Sequence, residues 1–89
     1  MIRSSITISN KLGLHARASA KLTKLAGGFA CNIHLTRNGR RVNAKSIMGV
    51  MMLAAGLGSV VEIEADGAEE HEAVMALRSL VESKFGEGE

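Results

Sequence analysis

Cys31-Asn32-Ile33-His34-Leu35-Thr36-Arg37-Asn38-Gly39-Arg40-Arg41-Val42-Asn43-Ala44 is the stretch that decides the fold. Cys31, Ile33 and Leu35 alternate with Asn32, His34 and Thr36. That period of two marks a strand with one dry and one wet face. Asn38-Gly39 follows, and both central residues of a two-residue hairpin need positive φ, which Asn and Gly tolerate best. The chain therefore returns antiparallel through Arg40–Ala44, short and basic.

Before this hairpin, Ile2, Ile6 and Ile8 oppose Arg3, Ser5 and Thr7, which predicts another half-buried strand. Asn10-Lys11-Leu12-Gly13 interrupts it, and from Ala16 to Ala26 the period lengthens. Ala18, Leu22, Leu25 and Ala26 share one helical stripe, with Arg17, Lys21 and Lys24 opposite, and Gly27-Gly28 stops the helix. After the hairpin, Ser46 is a candidate N-cap for a short helix over Ile47–Leu53. Val60–Ala65 is predicted as a strand with Val61, Ile63 and Ala65 inward and Glu62 and Glu64 outward. Asp66-Gly67 then turns into a last helix with Val74, Leu77, Leu80 and Val81 as its core stripe. Glu69, Glu70 and Glu72 at its start and Lys84 near its end complement the helix dipole.

The order β-α-β-β-α-β-α predicts an α+β open-faced sandwich, a four-stranded antiparallel sheet covered on one face by three helices. The other face, carrying Arg3, Ser5, Thr7, Asn32, His34, Glu62 and Glu64, is expected to be solvated. Eighty-nine residues, 46% hydrophobic and 22% charged, make one globular domain over 1–89, with 86–89 expected as a flexible tail.

Composition removes several functions. Phe29 and Phe85 are the only aromatic residues, so no base-stacking platform accompanies the basic residues and no nucleic-acid partner is expected. A single cysteine, Cys31, excludes an internal disulfide and a multi-cysteine zinc site, and its apolar neighbours make it a core residue. No stretch approaches the roughly 18 apolar residues of a membrane span, so no membrane insertion and a cytoplasmic location are expected. Charge is split along the chain. Residues 1–45 hold nine Lys and Arg and no acid, whereas residues 46–89 hold two against nine acids. Either part of the surface meets an anion or an acidic partner, or the halves interleave and cancel.

Three histidines need sorting. His34 on a polar strand face and His71 in an acidic helical turn read as solvated surface residues, and no metal-binding spacing occurs. His15 sits where a Gly-containing loop enters a helix, beside the unsatisfied N–H groups and positive end of the helix dipole. Arg17 is two residues on, and a guanidinium fork with helix N–H groups makes an anion site. An imidazole nitrogen there can carry a phosphoryl group as nucleophile. The competing reading is a His that merely caps the helix beside a solvated Arg17. In the short helix, Ile47, Met48, Val50, Met51, Met52, Leu53 and Ala54 are apolar on every side. If Val50, Leu53 and Ala54 face the core, then Ile47, Met48, Met51 and Met52 form an exposed patch of the kind that adapts to partners.

Asn10-Lys11-Leu12-Gly13-Leu14-His15-Ala16-Arg17 resembles the active-site signature of the HPr family, the histidine-containing phosphocarriers of the bacterial phosphoenolpyruvate-dependent phosphotransferase system. Asn43-Ala44-Lys45-Ser46-Ile47-Met48-Gly49-Val50-Met51 resembles that family's regulatory serine region, at the family's spacing. The element order matches along the whole chain.

The resemblance implies a carrier rather than an enzyme. His15 would accept a phosphoryl group on Nδ1 from enzyme I and pass it to an enzyme IIA-type acceptor, with Arg17 neutralising the phosphate. Ser46 would be the target of an HPr kinase/phosphorylase. Enzyme I would dock on Ala16, Ala20 and Lys24 together with Ile47, Met48, Gly49, Met51 and Met52. No cofactor and no metal are implied, and a monomer suits a shuttle. Ala18 departs from the family pattern, where proline usually follows the active-site arginine. In this it looks like the regulatory or nitrogen-type HPr of proteobacteria, which leaves open whether sugar transport or a regulatory relay is served. The alternative from another class is an α+β adaptor module that acts through the Met-rich helix without phosphotransfer.

Overall fold

A computed structural model describes residues 1–86. Strands β1 (Ile2–Thr7), β2 (Cys31–Arg37), β3 (Arg40–Asn43) and β4 (Val60–Gly67) form one sheet in the order β1-β4-β2-β3. All neighbouring pairs are antiparallel. Helices α1 (Ala16–Ala26), α2 (Ile47–Met52) and α3 (Glu70–Glu82) complete the sandwich, and a 3-10 turn, η1 (Lys84–Gly86), follows. No helix of the described residues is long and apolar enough to cross a membrane.

The hairpin forms as expected: Asn38 and Gly39 take φ of 50° and 79°. Cys31, Ile33 and Leu35 are buried on the same face as Val61, Ile63 and Ala65 of β4. Against that face lie Ala18, Leu22 and Ala26 of α1 and Ala73, Val74, Leu77 and Val81 of α3. The small residues of α1 let its backbone approach the sheet. Leu22 supplies apolar area whose burial is worth about 1.5–3 kcal/mol. Leu25 and Leu80, at the margins of their stripes, are only partly buried. Burial holds the Cys31 thiol above its ordinary range, as befits a core residue.

Several expectations need correction. β4 runs on through Asp66 and Gly67, where a turn was expected, because Cys31 and Asn32 of β2 still pair with them. Gly67 sits there at φ 141°, where an added Cβ would meet Cys31. α2 ends at Met52, and Ala54 turns left-handed (φ 51°). That turn breaks the helical phase, so Ala54 is exposed and Ala55 fills the core position instead. Lys84 does not serve the C-terminal end of α3, which stops at Glu82 with no basic residue in its last turn. Lys84 and Phe85 instead adopt φ of 57° and 56°, swinging the Phe85 ring back into the core. Gly86, expected in a flexible tail, closes that turn with its N–H donating to Ser83 O at 3.0 Å. Residues 87–89 lie outside the described residues.

The open sheet face is polar but not uniformly solvated. Glu64, expected outward in water, is buried between two arginines from the opposite half of the sequence. Arg41 Nη2 donates to its Oε2 at 2.6 Å, and Arg3 Nε lies 3.5 Å from its Oε1. Register explains the convergence, since Glu64 pairs with Arg3 on one side and His34 on the other. Arg41 reaches over β2 and also approaches His34 Nδ1 at 3.2 Å, so His34 is half-buried rather than solvated.

The Arg41 hydrogen bond, with the charges of Arg41 and Arg3, holds the Glu64 carboxyl below its ordinary range against the opposing effect of burial. A carboxyl depressed by folding stabilises the fold above its unfolded pKa and loses that contribution as pH falls through the folded one. Glu64→Gln should therefore unfold at lower urea than the wild type at pH 7. The gap should narrow as pH drops below about 4.3. A gap that stays constant down to pH 2 would show that packing, not charge, accounts for the difference.

Candidate functional site

His15 is placed by the loop that precedes it. Gly13 takes φ 65°, and its N–H donates to Asn10 O at 3.2 Å. The buried Asn10 side chain donates from Nδ2 to Gly13 O at 2.8 Å, which closes the turn. Leu14 N–H donates to Ala55 O at 2.9 Å, tying the loop to the segment that follows α2. The buried Ser19 hydroxyl then donates to Leu14 O at 3.0 Å, locking the loop onto the first turn of α1.

His15 itself is the N-cap, with extended backbone (φ −72°, ψ 179°) and its carbonyl accepting from Ser19 N–H at 2.8 Å. Its imidazole makes no capping hydrogen bond, so a purely capping histidine is not what the structure holds. The N–H groups of Ala16, Arg17 and Ala18, the first three of the helix, have no intrahelical acceptor by helix geometry. Ala18 is itself a core residue, so the first turn is anchored without proline.

His15, Ala16 and Arg17 line an open depression of about 900 Å³ together with Lys11, Leu12, Lys21 and Gly86. His15 is half-buried and Arg17 exposed. Four basic or imidazole groups, with the N-terminal end of an 11-residue helix, make this depression a place for an anion. The two halves of the chain do cancel in part, because Arg3 and Arg41 of the basic half pair with Glu62 and Glu64 of the acidic half. Among the described residues no such carboxylate pairs with Arg17, Lys21 or Lys24, so α1 keeps a positive outer side.

Lys21 has another engagement. Its ammonium donates to Phe85 O at 2.6 Å, so the turn after α3 is fastened at the rim of the depression.

Ser46 caps α2 as expected, its Oγ accepting from Gly49 N–H at 3.2 Å. Val50 is fully buried, while Ile47, Met48, Met51 and Met52 are exposed, 66% in the case of Met48. Ala16, Ala20 and Lys24 are exposed on α1, and Gly49 is half-buried. The Leu14–Ala55 hydrogen bond thus joins the His15 loop to the chain leaving this apolar patch.

Sequence reasoning passed over Asn10 and Ser19 as positioning groups. A turn of the form Asn-x-x-Gly and a serine in the second half of the first helical turn were the available signals, since such side chains bond nearby backbone. The roles of Ala55, Phe85 and Gly86 had no local signal, because each depends on a contact from far along the chain. No group of three metal-ligating residues occurs among the described residues.

The family model described as "PTS HPr component phosphorylation site" matches residues 2–83. The chain is similar to "Phosphocarrier protein HPr" of Cupriavidus necator, 63% identical over 89 residues that cover all of both chains. Its fold matches HPr-C-His from Thermoanaerobacter tengcongensis with a TM-score of 0.95 and 47% identity, over 98% of each chain. It also matches an HPr dimer from the same organism at a TM-score of 0.79 and 47% identity, over 98% of this chain and 100% of that one.

Proposed function

Because the chain belongs to the HPr family, phosphocarriers of the bacterial phosphotransferase system rather than catalytic enzymes, we propose that His15 is its phosphoryl carrier. The single observation that carries this reading is the place of the His15 imidazole, at the N-cap of α1 and in an open depression that it shares with Arg17. The imidazole Nδ1 attacks the phosphorus of phospho-enzyme I in line, and the bond from phosphorus to the donor breaks as the new P–N bond forms. Transfer to an enzyme IIA-type acceptor is the same displacement with the roles exchanged. Such a step depends on positioning and charge neutralisation more than on covalent chemistry. Helix N–H groups and Arg17 meet the phosphate oxygens, and the docked partner completes the site.

A carrier must also let go. Each 1.4 kcal/mol of extra phosphate binding shifts the transfer equilibrium about tenfold away from the acceptor. An exposed arginine and one helix end, open to solvent, suit that need. We read the carrier as a cytoplasmic monomer that presents α1 (Ala16, Ala20, Lys24) and the α2 patch to both partners.

Intact-mass measurement after incubation with phosphoenolpyruvate and a bacterial enzyme I tests the reading. One added phosphate, lost in acid and stable in base, is the expected result. No mass gain with an enzyme I proven active would leave an α+β adaptor acting through the α2 patch.

Ser46 is the regulatory position in this reading, phosphorylated by an HPr kinase/phosphorylase. Aspartate is as good an N-cap as serine, so Ser46→Asp keeps α2 folded while placing a negative charge beside the patch. It should slow phosphate acceptance from enzyme I by about tenfold, the weight of one unfavourable charge contact. Wild-type rates in this variant would remove Ser46 from the docking surface.

A further inference from the structure

α2 is six residues long and buries one of them, Val50. A helix this short is far below the roughly 12–15 residues at which isolated helices become even marginal in water. One buried side chain supplies little packing, so the ends of α2 must hold it. Ser46 holds the first turn. The other end carries no basic residue of its own, and its terminal carbonyls need donors from outside the helix.

Those donors come from the β2–β3 hairpin. Arg40 Nη1 donates to Met52 O at 3.1 Å, and Arg37 Nη1 donates to Leu53 O at 3.1 Å. The two arginines flank the Asn38-Gly39 turn, where Arg37 pairs with Arg40, so one tight hairpin aims both guanidinium groups at one helix end. Positive charge there also complements the negative end of the helix dipole. The chain leaves this point through the left-handed Ala54 and then Ala55, whose carbonyl receives Leu14 N–H. The arginine clamp is therefore one short segment away from the His15 loop.

We propose that Arg37 and Arg40 are positioning residues, which cap the C-terminal end of α2 from the hairpin and hold its exposed methionine face in the orientation that docks on enzyme I. The docking half of this inference rests on the function proposed above, while the capping half does not. The basic hairpin thus serves the apolar patch, without itself touching the transferred phosphate.

The experiment compares the wild type, Arg37→Ala/Arg40→Ala and Arg37→Lys/Arg40→Lys by amide hydrogen exchange and by enzyme I kinetics. In the alanine variant the Val50, Leu53 and Ala54 amides, which close α2, should exchange about threefold to tenfold faster, the range for losing hydrogen bonds from an exposed charged donor. Amides of α1 and α3 should be unchanged. KM for the carrier should rise by a similar factor with kcat unaltered, because the phosphoryl site is intact. The lysine variant, with charge but no fork, should fall between the two. Unchanged α2 exchange in the alanine variant overturns the capping. Faster α2 exchange with an unchanged KM overturns the docking role, although phosphate uptake would still uphold the carrier. If the wild type takes up no phosphate at all, the carrier reading fails and the docking half with it. Exchange then decides the capping alone.

Discussion

Replacing His15 by alanine should abolish phosphate uptake from phospho-enzyme I, a loss of at least about a thousandfold, while the protein stays folded. The size of the loss follows from the chemistry. The imidazole nitrogen is the nucleophile in the proposed transfer, and among the described residues lining the depression no other side chain is an imidazole. The fold should survive because the backbone bond from Ser19 N–H to His15 O persists whatever the side chain. Stability should change by no more than about 0.5 kcal/mol, a shift of roughly 2–4 °C in Tm. Arg17→Ala should be slower by about tenfold to a hundredfold but not inactive, because the helix N–H groups still face the phosphate. The order His15→Ala below Arg17→Ala below wild type separates nucleophile from neutralising group. Phosphate still arriving on the His15→Ala protein, in the absence of ATP, would refute the assignment.

Gly13→Ala should be the most damaging single methyl group that can be added near the site. Two costs add there. Gly13 holds φ 65°, which an L side chain adopts only under strain. A Cβ would also collide with the Ala55 carbonyl oxygen and lie 2.6 Å from Gly56 Cα, both backbone atoms that cannot rotate away. The two segments must separate, stretching the Leu14–Ala55 hydrogen bond that joins the His15 loop to the chain leaving α2. A loss of roughly 2–3 kcal/mol is expected, or about 10–20 °C in Tm. Phosphate uptake should slow although His15 and Arg17 are untouched. Gly39→Ala provides the comparison, since Gly39 has φ 79° but open space around it. It should lose only about 1 kcal/mol. Equal losses at the two positions would mean that the close approach at Gly13 relaxes at little cost.

The residues of the proposed phosphoryl site and their surroundings were unequally legible. His15, Arg17 and Ser46 announce themselves because the chemistry of a helix start is local: an N-cap, the next turn and a preceding glycine lie within a few residues. The exposure of Ile47, Met48, Met51 and Met52 also follows from local reasoning, since a helix can turn only one stripe inward. Glu64 misled for the converse reason. Alternation places it on the outer face, correctly, but whether that position is wet depends on Arg41, which reaches it across an intervening strand. Lys84 misled because a buried Phe85 one residue later ends the helix early and takes the chain left-handed.

Local spacing along the chain fixes the order of the elements, the inward face of each strand, the hairpin at Asn38-Gly39 and the residues that start α1 and α2. These are written in spacings of two to four residues, which backbone geometry converts directly into faces and caps. Packing in three dimensions alone brings Gly13 against Ala55, Lys21 to Phe85, Glu64 between Arg3 and Arg41, and Arg37 and Arg40 to the end of α2. Each of these joins groups 12 or more residues apart or depends on how the sheet is ordered. Their distances come from packing the elements around one core, and no spacing along the chain encodes them.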